Sequence, residues 1–384
     1  MEDFKIRIIQ PNVPSYRVAL YEGLGQTYPR RVEVWATDGV GTPNVSQPIR
    51  WVKYDYTHPI VKYGKIGWQK RVSLNGLSQG DVLVICGEVQ NLSNIWLALQ
   101  AKCRGIAVVW WGHHRSATST GVRTKIRLRL AKILSDVFLC YTQTGIEYLV
   151  DQGFKRDRVF ATWNTIDETP IIRAIQKWNS QRLKEFQLDN GLSGRTVILV
   201  CSALRPKTRL DLLISALADE TLIRWKPLVV IIGDGPQREV YRQKVSDEGV
   251  GEYVRWLGMR RKQDELAPWF LSAQVYVYPG AVGLGLIHAM AYGLPAIVHG
   301  NDKHQMPEFE VMEDGKTGLT FEENSVADLV RKLDYAFLHP AEMKEMGDYA
   351  KDKVLSKYSM RQMISNYCGA IEAARRLVQN NQQS

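Results

Sequence analysis

The chain has 384 residues, 45% of them hydrophobic and 23% charged, and a formal net charge of +10. That is the composition of a soluble globular protein with room for two domains. Five cysteines (Cys86, Cys103, Cys140, Cys201, Cys368) are scattered without a C-x-x-C pair, which excludes a disulfide scaffold and points to buried free thiols in a reducing compartment.

The opening run, MEDFKIRIIQ, goes straight into a strand pattern and lacks the basic and apolar regions of a secretory signal, so a cytoplasmic protein is expected. Strand-like runs follow at Lys5–Ile9, Val32–Ala36, Asp81–Cys86, Ile106–Trp110, Val137–Tyr141 and Arg158–Ala161. Helical patterns lie between them at Tyr16–Tyr28, Leu92–Cys103, Val122–Leu134 and Gln143–Gln152. Such alternation predicts an α/β, doubly wound, mostly parallel sheet.

From Asp167 to Gln187 the pattern is polar and helical, and Leu188–Arg195 reads as a loop. A second alternating series begins there. Its strands are Thr196–Cys201, Leu228–Ile232, Tyr253–Trp256, Gln274–Tyr278 and Ala296–His299. Its helices are expected near Arg209–Ala218, Gln237–Glu248, Lys262–Leu271, Leu284–Tyr292 and Val326–Leu338, with a last one at Met360–Val378. The expected domains are therefore 1–170, a linker at 171–194, 195–357, and a terminal helix and tail at 358–384.

Leu266–Asn301 contains no Lys, Arg, Asp or Glu. Its length would allow a bilayer span. Pro268, Pro279 and Pro295, each expected to break or bound a helix, and five glycines argue against one. The stretch divides instead into a buried strand, a glycine loop at Pro279–Gly285, a short helix ended by Gly293, and another strand. A glycine loop at the carboxyl end of a strand and the start of a helix is where α/β sheets favour phosphate.

Other motifs fall in order around it. Ala203–Leu217 (ALRPKTRLDLLISAL) is a basic turn that opens a helix. Val229–Tyr241 holds Gly233-Asp234-Gly235-Pro236 after a strand, and Met306–Phe321 holds Pro307-Glu308. The N-terminal half adds QPNVPSYRVALYEGL (Gln10–Leu24), VVWWGHH (Val108–His114) and WNTID (Trp163–Asp167).

This ordered set resembles the GT-B glycosyltransferases, specifically the retaining family 4, or group 1. The resemblance implies two Rossmann-like domains facing a cleft, with a C-terminal helix returning to the first domain. It implies that Gly283, Leu284 and Gly285 cradle a donor diphosphate, with Arg205, Lys207 and Arg209 neutralising it. Gly233, Asp234 and Glu308 complete the implied donor site. His113, or its neighbour His114, would face the donor sugar, and Tyr16, Arg17 and Arg115 would bind the acceptor. Lys207, Arg209 and His113 are the implied catalytic residues, acting by stabilising the leaving group and positioning the acceptor.

The chain departs from the family at its Glu-x7-Glu pair. Alignment without gaps puts Gly280 at the first position and His288 at the second. His288 is open between a bond to the ribose and a satisfied core histidine. The usual basic pair likewise falls on Ala203 and Thr208.

No Asp-x-Asp motif or metal-ligand spacing is present, and His299 and His304 lack partner ligands, so no metal or cofactor beyond the nucleotide-sugar is expected.

Residues 1–165 carry 22 Lys and Arg against 12 Asp and Glu, so the whole charge excess lies in the first half. Val122–Leu134 reads as a basic amphipathic helix with Val122, Ile126, Leu130, Ile133 and Leu134 on one face, and Trp51–Arg71 interleaves aromatics with cations. Both read either as ordinary surface or as an edge that meets anionic membrane, which would place the protein on the inner face of the plasma membrane. The expected acceptor is a lipid-linked sugar or a polysaccharide, and no nucleic-acid reader fold is recognisable. A GT-B epimerase and a non-catalytic nucleotide-sugar binder are the alternatives to a transferase.

Overall fold

A computed structural model describes residues 4–37, 44–64, 66–87, 90–113 and 122–383. The chain falls into two compact units, Met1–Asn164 with Met360–Ser384, and Thr165–Ser359.

The first unit opens with β1 (Ile6–Ile9), a 3₁₀ turn at Ser15–Arg17, α1 (Val18–Thr27) and β2 (Val32–Trp35). β3 (Lys53–Asp55) and an antiparallel hairpin of β4 (Ile60–Tyr63) and β5 (Ile66–Gln69) follow. Next come β6 (Val82–Cys86), α2 (Leu92–Cys103), β7 (Ala107–Trp111), α3 (Val122–Leu134), β8 (Val137–Cys140), α4 (Gln143–Asp151) and β9 (Val159–Ala161). The strands form a parallel seven-stranded sheet in the order β3-β2-β1-β6-β7-β8-β9.

Side chains alternate across this sheet. Leu83, Ile85, Trp110 and Phe138 face one core with Leu97, Leu128 and Leu149 from α2, α3 and α4. Val84, Val109 and Leu139 face the other. Cover on both faces explains why the central strands read as unbroken apolar runs.

The second unit begins with α5 (Thr169–Gln176) and α6 (Ser180–Asp189). β10 (Thr196–Cys201), α7 (Leu210–Ala216), α8 (Glu220–Ile223), β11 (Pro227–Ile232), α9 (Arg238–Asp247) and β12 (Val254–Gly258) follow. α10 (Gln263–Ser272), β13 (Val275–Tyr278), α11 (Leu284–Ala291), β14 (Ala296–His299), β15 (Gly318–Phe321), α12 (Val326–Leu338) and α13 (Pro340–Lys357) complete it. Its parallel sheet has the order β12-β11-β10-β13-β14-β15. α5 and α6 pack on α10, within this unit. α14 (Met360–Gln383) then returns to the first unit, where Met363, Tyr367, Ala370, Ile371 and Ala374 recur at helical spacing in its core.

Three expectations need correction. Pro268 neither breaks nor bounds a helix; it lies inside α10. The carbonyl it leaves without a partner belongs to Asp264, in the exposed first turn, where water can serve it. The apolar residues read as sharing one face of α3 do not share one environment. Leu128, Ala131 and Leu134 are buried, Leu130 is half-buried, and Ile126 and Ile133 are exposed. Burial of the thiols is also less general: Cys140 is buried and Cys103 exposed, with the other three between, and all five are free. β3, β4, β5, β15 and α13 were not foreseen.

Candidate functional site

In the second sheet the strand order reverses between β10 and β13. Ligands of open α/β sheets bind beyond the carboxyl ends of the strands at such a point. Three loops leave the sheet there: Ser202–Arg209 after β10, Gly233–Gln237 after β11 and Pro279–Gly283 after β13.

Backbone contacts knit these loops together. The N–H of Ser202 donates to the Ile232 carbonyl (3.0 Å), Leu204 N–H to Asp234 O (3.0 Å) and Gln237 N–H to Leu204 O (3.1 Å). Gly233, at φ +144°, leaves no room for a side chain: a Cβ would stand 1.8 Å from Ser202 O. Gly280 is equally constrained. Its Cβ would stand 1.9 Å from Lys207 O, while the neighbouring Ala281 N–H donates to that same oxygen at 3.2 Å. The family's first glutamate therefore has no space here, because the β10 loop lies where its side chain would begin.

Gly283 is the N-cap of α11, so the helix's opening N–H groups and positive dipole end lie in the loop. Tyr292 caps the other end. There Leu294 N–H donates to Ala289 O (3.1 Å) and Gly293 N–H to Met290 O (2.8 Å), closing a Schellman motif with Gly293 at φ +79°. Gln305 fixes the loop from outside. Its Oε1 accepts from Val282 N–H (2.7 Å), and its Nε2 donates to His299 O (2.8 Å). Gln305 was missed in the sequence, where nothing marks it except its nearness to Pro307-Glu308.

Glu308 comes close to the same loop. It is 6% exposed on the 3₁₀ segment Pro307–Val311, and its Oε2 lies 3.8 Å from where a Gly283 Cβ would be. The structure thus brings a buried carboxylate to the glycine loop from a segment other than the one that usually supplies it.

The basic residues are not equivalent. Arg205 and Lys207 are exposed, and among the described residues neither makes a salt bridge. Arg209 is in the left-handed region (φ +49°) and pairs with Asp211, Nη2 to Oδ2 at 3.0 Å, with Nη1 donating to Asn324 Oδ1. The Asp211 hydrogen bond holds its guanidinium above the usual arginine range. Thr208, fully buried, staples the turn: its Oγ1 donates to Ala203 O (2.9 Å) and accepts from Arg205 N–H (3.2 Å).

Asp234 is likewise engaged, accepting from Gly235 N–H (2.8 Å) and pairing with Arg238 (2.9 Å). His288 sits among Phe270, Tyr292 and Gln263, with Nε2 3.0 Å from Gln263 Oε1 and the Phe270 ring at 4.7 Å. Tyr292 Oη donates to the same Gln263 oxygen at 2.9 Å. Burial brings the His288 imidazole down to about 4, so it is neutral at pH 7. Its ring packs α11 onto α10.

The first unit has its own cluster at the carboxyl ends of β7 and β8. Arg17 is 8% exposed, with its guanidinium over Trp111 (4.9 Å), Tyr16 (5.3 Å) and Tyr141 (5.8 Å). The His113 ring lies 4.7 Å from Tyr141. Crowding by protein, then the charges of Arg127 and Arg17, bring His113 down to about 4, although it keeps an exposed edge. Tyr141 was not foreseen, and Arg127 reads in the sequence only as a cation of the basic helix; ending a central strand was the signal for Tyr141. His114 and Arg115 lie outside the described residues. Among the described residues no cluster of His, Cys, Asp or Glu could hold a metal ion.

A family model described as glycosyl transferases group 1 matches residues 184–353. The chain is 30% identical over 114 residues to an alpha-monoglucosyldiacylglycerol synthase of Acholeplasma laidlawii, covering 29% of this chain and 27% of that one. It is 29% identical over 184 residues to a GDP-mannose-dependent phosphatidylinositol monomannoside mannosyltransferase of Mycolicibacterium smegmatis, covering 44% of this chain and 46% of that one. The chain thus matches less than half the length of either relative. The crystal structure of Anabaena HepE in complex with UDP superposes with a TM-score of 0.72 at 12% identity, over 97% of this chain and all of that one. Residues 184–353 thus match the glycosyl transferases group 1 model, and the chain carries a GT-B fold of two parallel-sheet units.

Proposed function

We propose that this chain is a retaining glycosyltransferase that moves a sugar from a nucleotide-sugar donor to a glycan or lipid-linked acceptor, without a metal. The observation that carries the reading is the meeting of three loops at the β10/β13 reversal, with the glycine loop leading into the N-terminus of α11. That arrangement suits a diphosphate. The exposed cations of Arg205 and Lys207 on the adjoining turn, without a salt bridge among the described residues, suit the charge that grows on a departing diphosphate.

The names of the two relatives support a glycolipid acceptor, and the UDP bound to HepE supports a nucleotide donor. His113 stays neutral at physiological pH and so offers the acceptor hydroxyl a hydrogen bond rather than a charge. The charge of Arg17 reaches this ring, and Tyr16 lies against Arg17. The net positive first half favours peripheral contact with anionic membrane.

The missing glutamate at position 280 also favours a working enzyme over a decayed one. Its place is taken by packed backbone, and a buried carboxylate, Glu308, approaches the loop from elsewhere.

A thermal-shift panel of UDP, GDP, CDP, ADP and dTDP with their sugars tests the reading, followed by product assays with and without acceptor lipid. Stabilisation by one nucleotide and transfer that needs acceptor are expected. Sugar conversion from donor alone would make it an epimerase. Binding without turnover would make it a non-catalytic binder, and no binding would remove the donor site.

A further inference from the structure

We infer that the outward side of α2, α3 and the β4–β5 hairpin docks on an anionic phospholipid surface. This deepens the membrane part of the proposed function and is independent of the donor site, which lies in the other unit.

The outer face of α2 carries an exposed apolar stripe. A helix that covers a sheet should bury one stripe and expose polar residues on the other side. α2 buries Leu97, Ala98 and Ala101, but it also turns Leu92, Trp96 and Leu99 outward at i, i+4, i+7 spacing. Trp96 is 52% exposed. α3 packs beside α2 and exposes Ile126 and Ile133, one on each side of Arg129. On the other flank β5 packs on α2, its Gly67 N–H donating to Gln90 O (2.8 Å) and its Gln69 N–H to Ser93 Oγ (3.1 Å). That strand leaves Ile66 and Trp68 exposed, and Tyr63 on β4 is 79% exposed. Apolar residues on three adjoining elements are more than the single exposed hydrophobics of an ordinary surface.

Charge selects the occupant. Between Ile60 and Leu134 the sequence has 12 Lys and Arg against 2 Asp and Glu. One of those acids, Asp81, is buried and accepts from the N–H groups of Lys5 and Ser78. Lys125, Arg129 and Lys132, with Leu128, Gln152 and Phe154, line a surface pocket of about 250 Å³. None of the three cations is in a salt bridge among the described residues. Protein–protein interfaces are depleted in lysine at their cores. Exposed Trp and Tyr beside Lys and Arg suit the bilayer interface, where the rings enter the headgroup region and long cationic chains reach phosphate. Among the described residues no helix is long and apolar enough to cross a membrane, so the contact is on the surface.

The test is co-sedimentation of the full chain with vesicles of phosphatidylglycerol and phosphatidylcholine, and of phosphatidylcholine alone. The variants are Trp96→Ser/Leu99→Ser and Arg129→Glu/Lys132→Glu. The wild type should bind the anionic vesicles, less so at high salt. Each double variant should lose roughly tenfold or more in partitioning, while its thermal melt and its nucleotide-induced shift stay unchanged. No preference of the wild type for anionic vesicles would overturn the proposal. So would unchanged binding by either variant, or conversion of a wild-type dimer to a monomer by Trp96→Ser/Leu99→Ser with vesicle binding intact. Vesicle binding by a chain that lacks transferase activity would leave the docking face standing and remove only the proposed function.

Discussion

Gly280 rests against the carbonyl of Lys207: a Cβ at 280 would stand 1.9 Å from that oxygen and 3.0 Å from the carbonyl carbon of Thr208. One residue thus joins the glycine loop to the basic turn. Both obstacles are backbone, so no rotamer change can make room. Gly280→Ala should cost roughly 1–3 kcal/mol, the range for overpacking a tight site, and Gly280→Glu should cost more. Urea unfolding measures this. Nucleotide binding should weaken in both variants, because the Lys207 turn must shift. Restoring the family's glutamate should therefore damage this protein, and a Gly280→Glu variant of full stability and activity would contradict the packing.

The two exposed cations of the turn should behave differently from the paired one. Arg205 and Lys207 hold no salt bridge among the described residues, so Arg205→Ala and Lys207→Ala remove charge from the site and little else. Turnover should fall by roughly 10- to 1000-fold, as for loss of a group that stabilises developing charge, with the melting temperature little changed. Arg209→Ala also removes the Asp211 pair and the Asn324 contact, so it should lower stability as well as rate. Steady-state kinetics alongside melting curves distinguish the two patterns. Full activity in Lys207→Ala would move the phosphate contact elsewhere.

Desolvation lowers three histidines, His113 and His288 furthest and His299 less, and they set a pH dependence. In the unfolded chain each imidazole takes up its proton near pH 6.5, whereas in the folded chain His113 and His288 do so at about 4. The unfolded state therefore binds more protons between those values, and acid favours it. The stability of the neutral rings is fully present above pH 6.5 and is lost as pH falls towards 4. Above about pH 5 the carboxylates with depressed values, such as Asp55, Glu313 and Glu323, keep their full stabilising effect and so add no slope. His113 keeps an exposed edge, so solvent reduces its share, and His288 should dominate. Melting temperatures from pH 7.5 to 5 should fall in the wild type and fall less in His288→Gln. Equal slopes would show that burial of His288 does not control the window.

Much of the second unit was legible because its physical signals are local. Beyond α10, the uncharged stretch Gln274–Asn301 could satisfy its glycines, prolines and strand pattern only as strand, loop, helix and strand, and β13, α11 and β14 lie there. β15 (Gly318–Phe321) was hidden because four residues behind a glycine turn carry too little pattern. The hairpin was hidden because Tyr63, Ile66 and Trp68 are apolar yet exposed, so hydrophobicity there does not report burial. α3 misled for the same reason: Ile126 and Ile133 outrank Ala131 in hydrophobicity, but Ala131 faces the sheet. In the site, the glycine loop could be read from spacing. The Gly280–Lys207 contact and the approach of Glu308 to Gly283 join segments far apart in sequence, and no local pattern encodes them.

Glu308 carries the remaining prediction. Its carboxylate is buried, with Oε2 3.8 Å from where a Gly283 Cβ would stand, at the start of α11 and so beside the loop proposed for the donor diphosphate. A carboxylate repels phosphate but accepts hydrogen bonds from sugar hydroxyls. Glu308 should therefore act on the sugar and not on the nucleotide. Glu308→Gln keeps the shape and removes the charge. Affinity for the free nucleoside diphosphate should stay within about twofold, because the loop amides and Lys207 are untouched. Affinity for the intact nucleotide-sugar should fall roughly 10-fold or more, as for loss of a hydrogen bond to a charged group. Isothermal titration with both ligands reads the difference. Equal weakening of both would make Glu308 a support of the loop fold, and no change in either would remove it from the donor site.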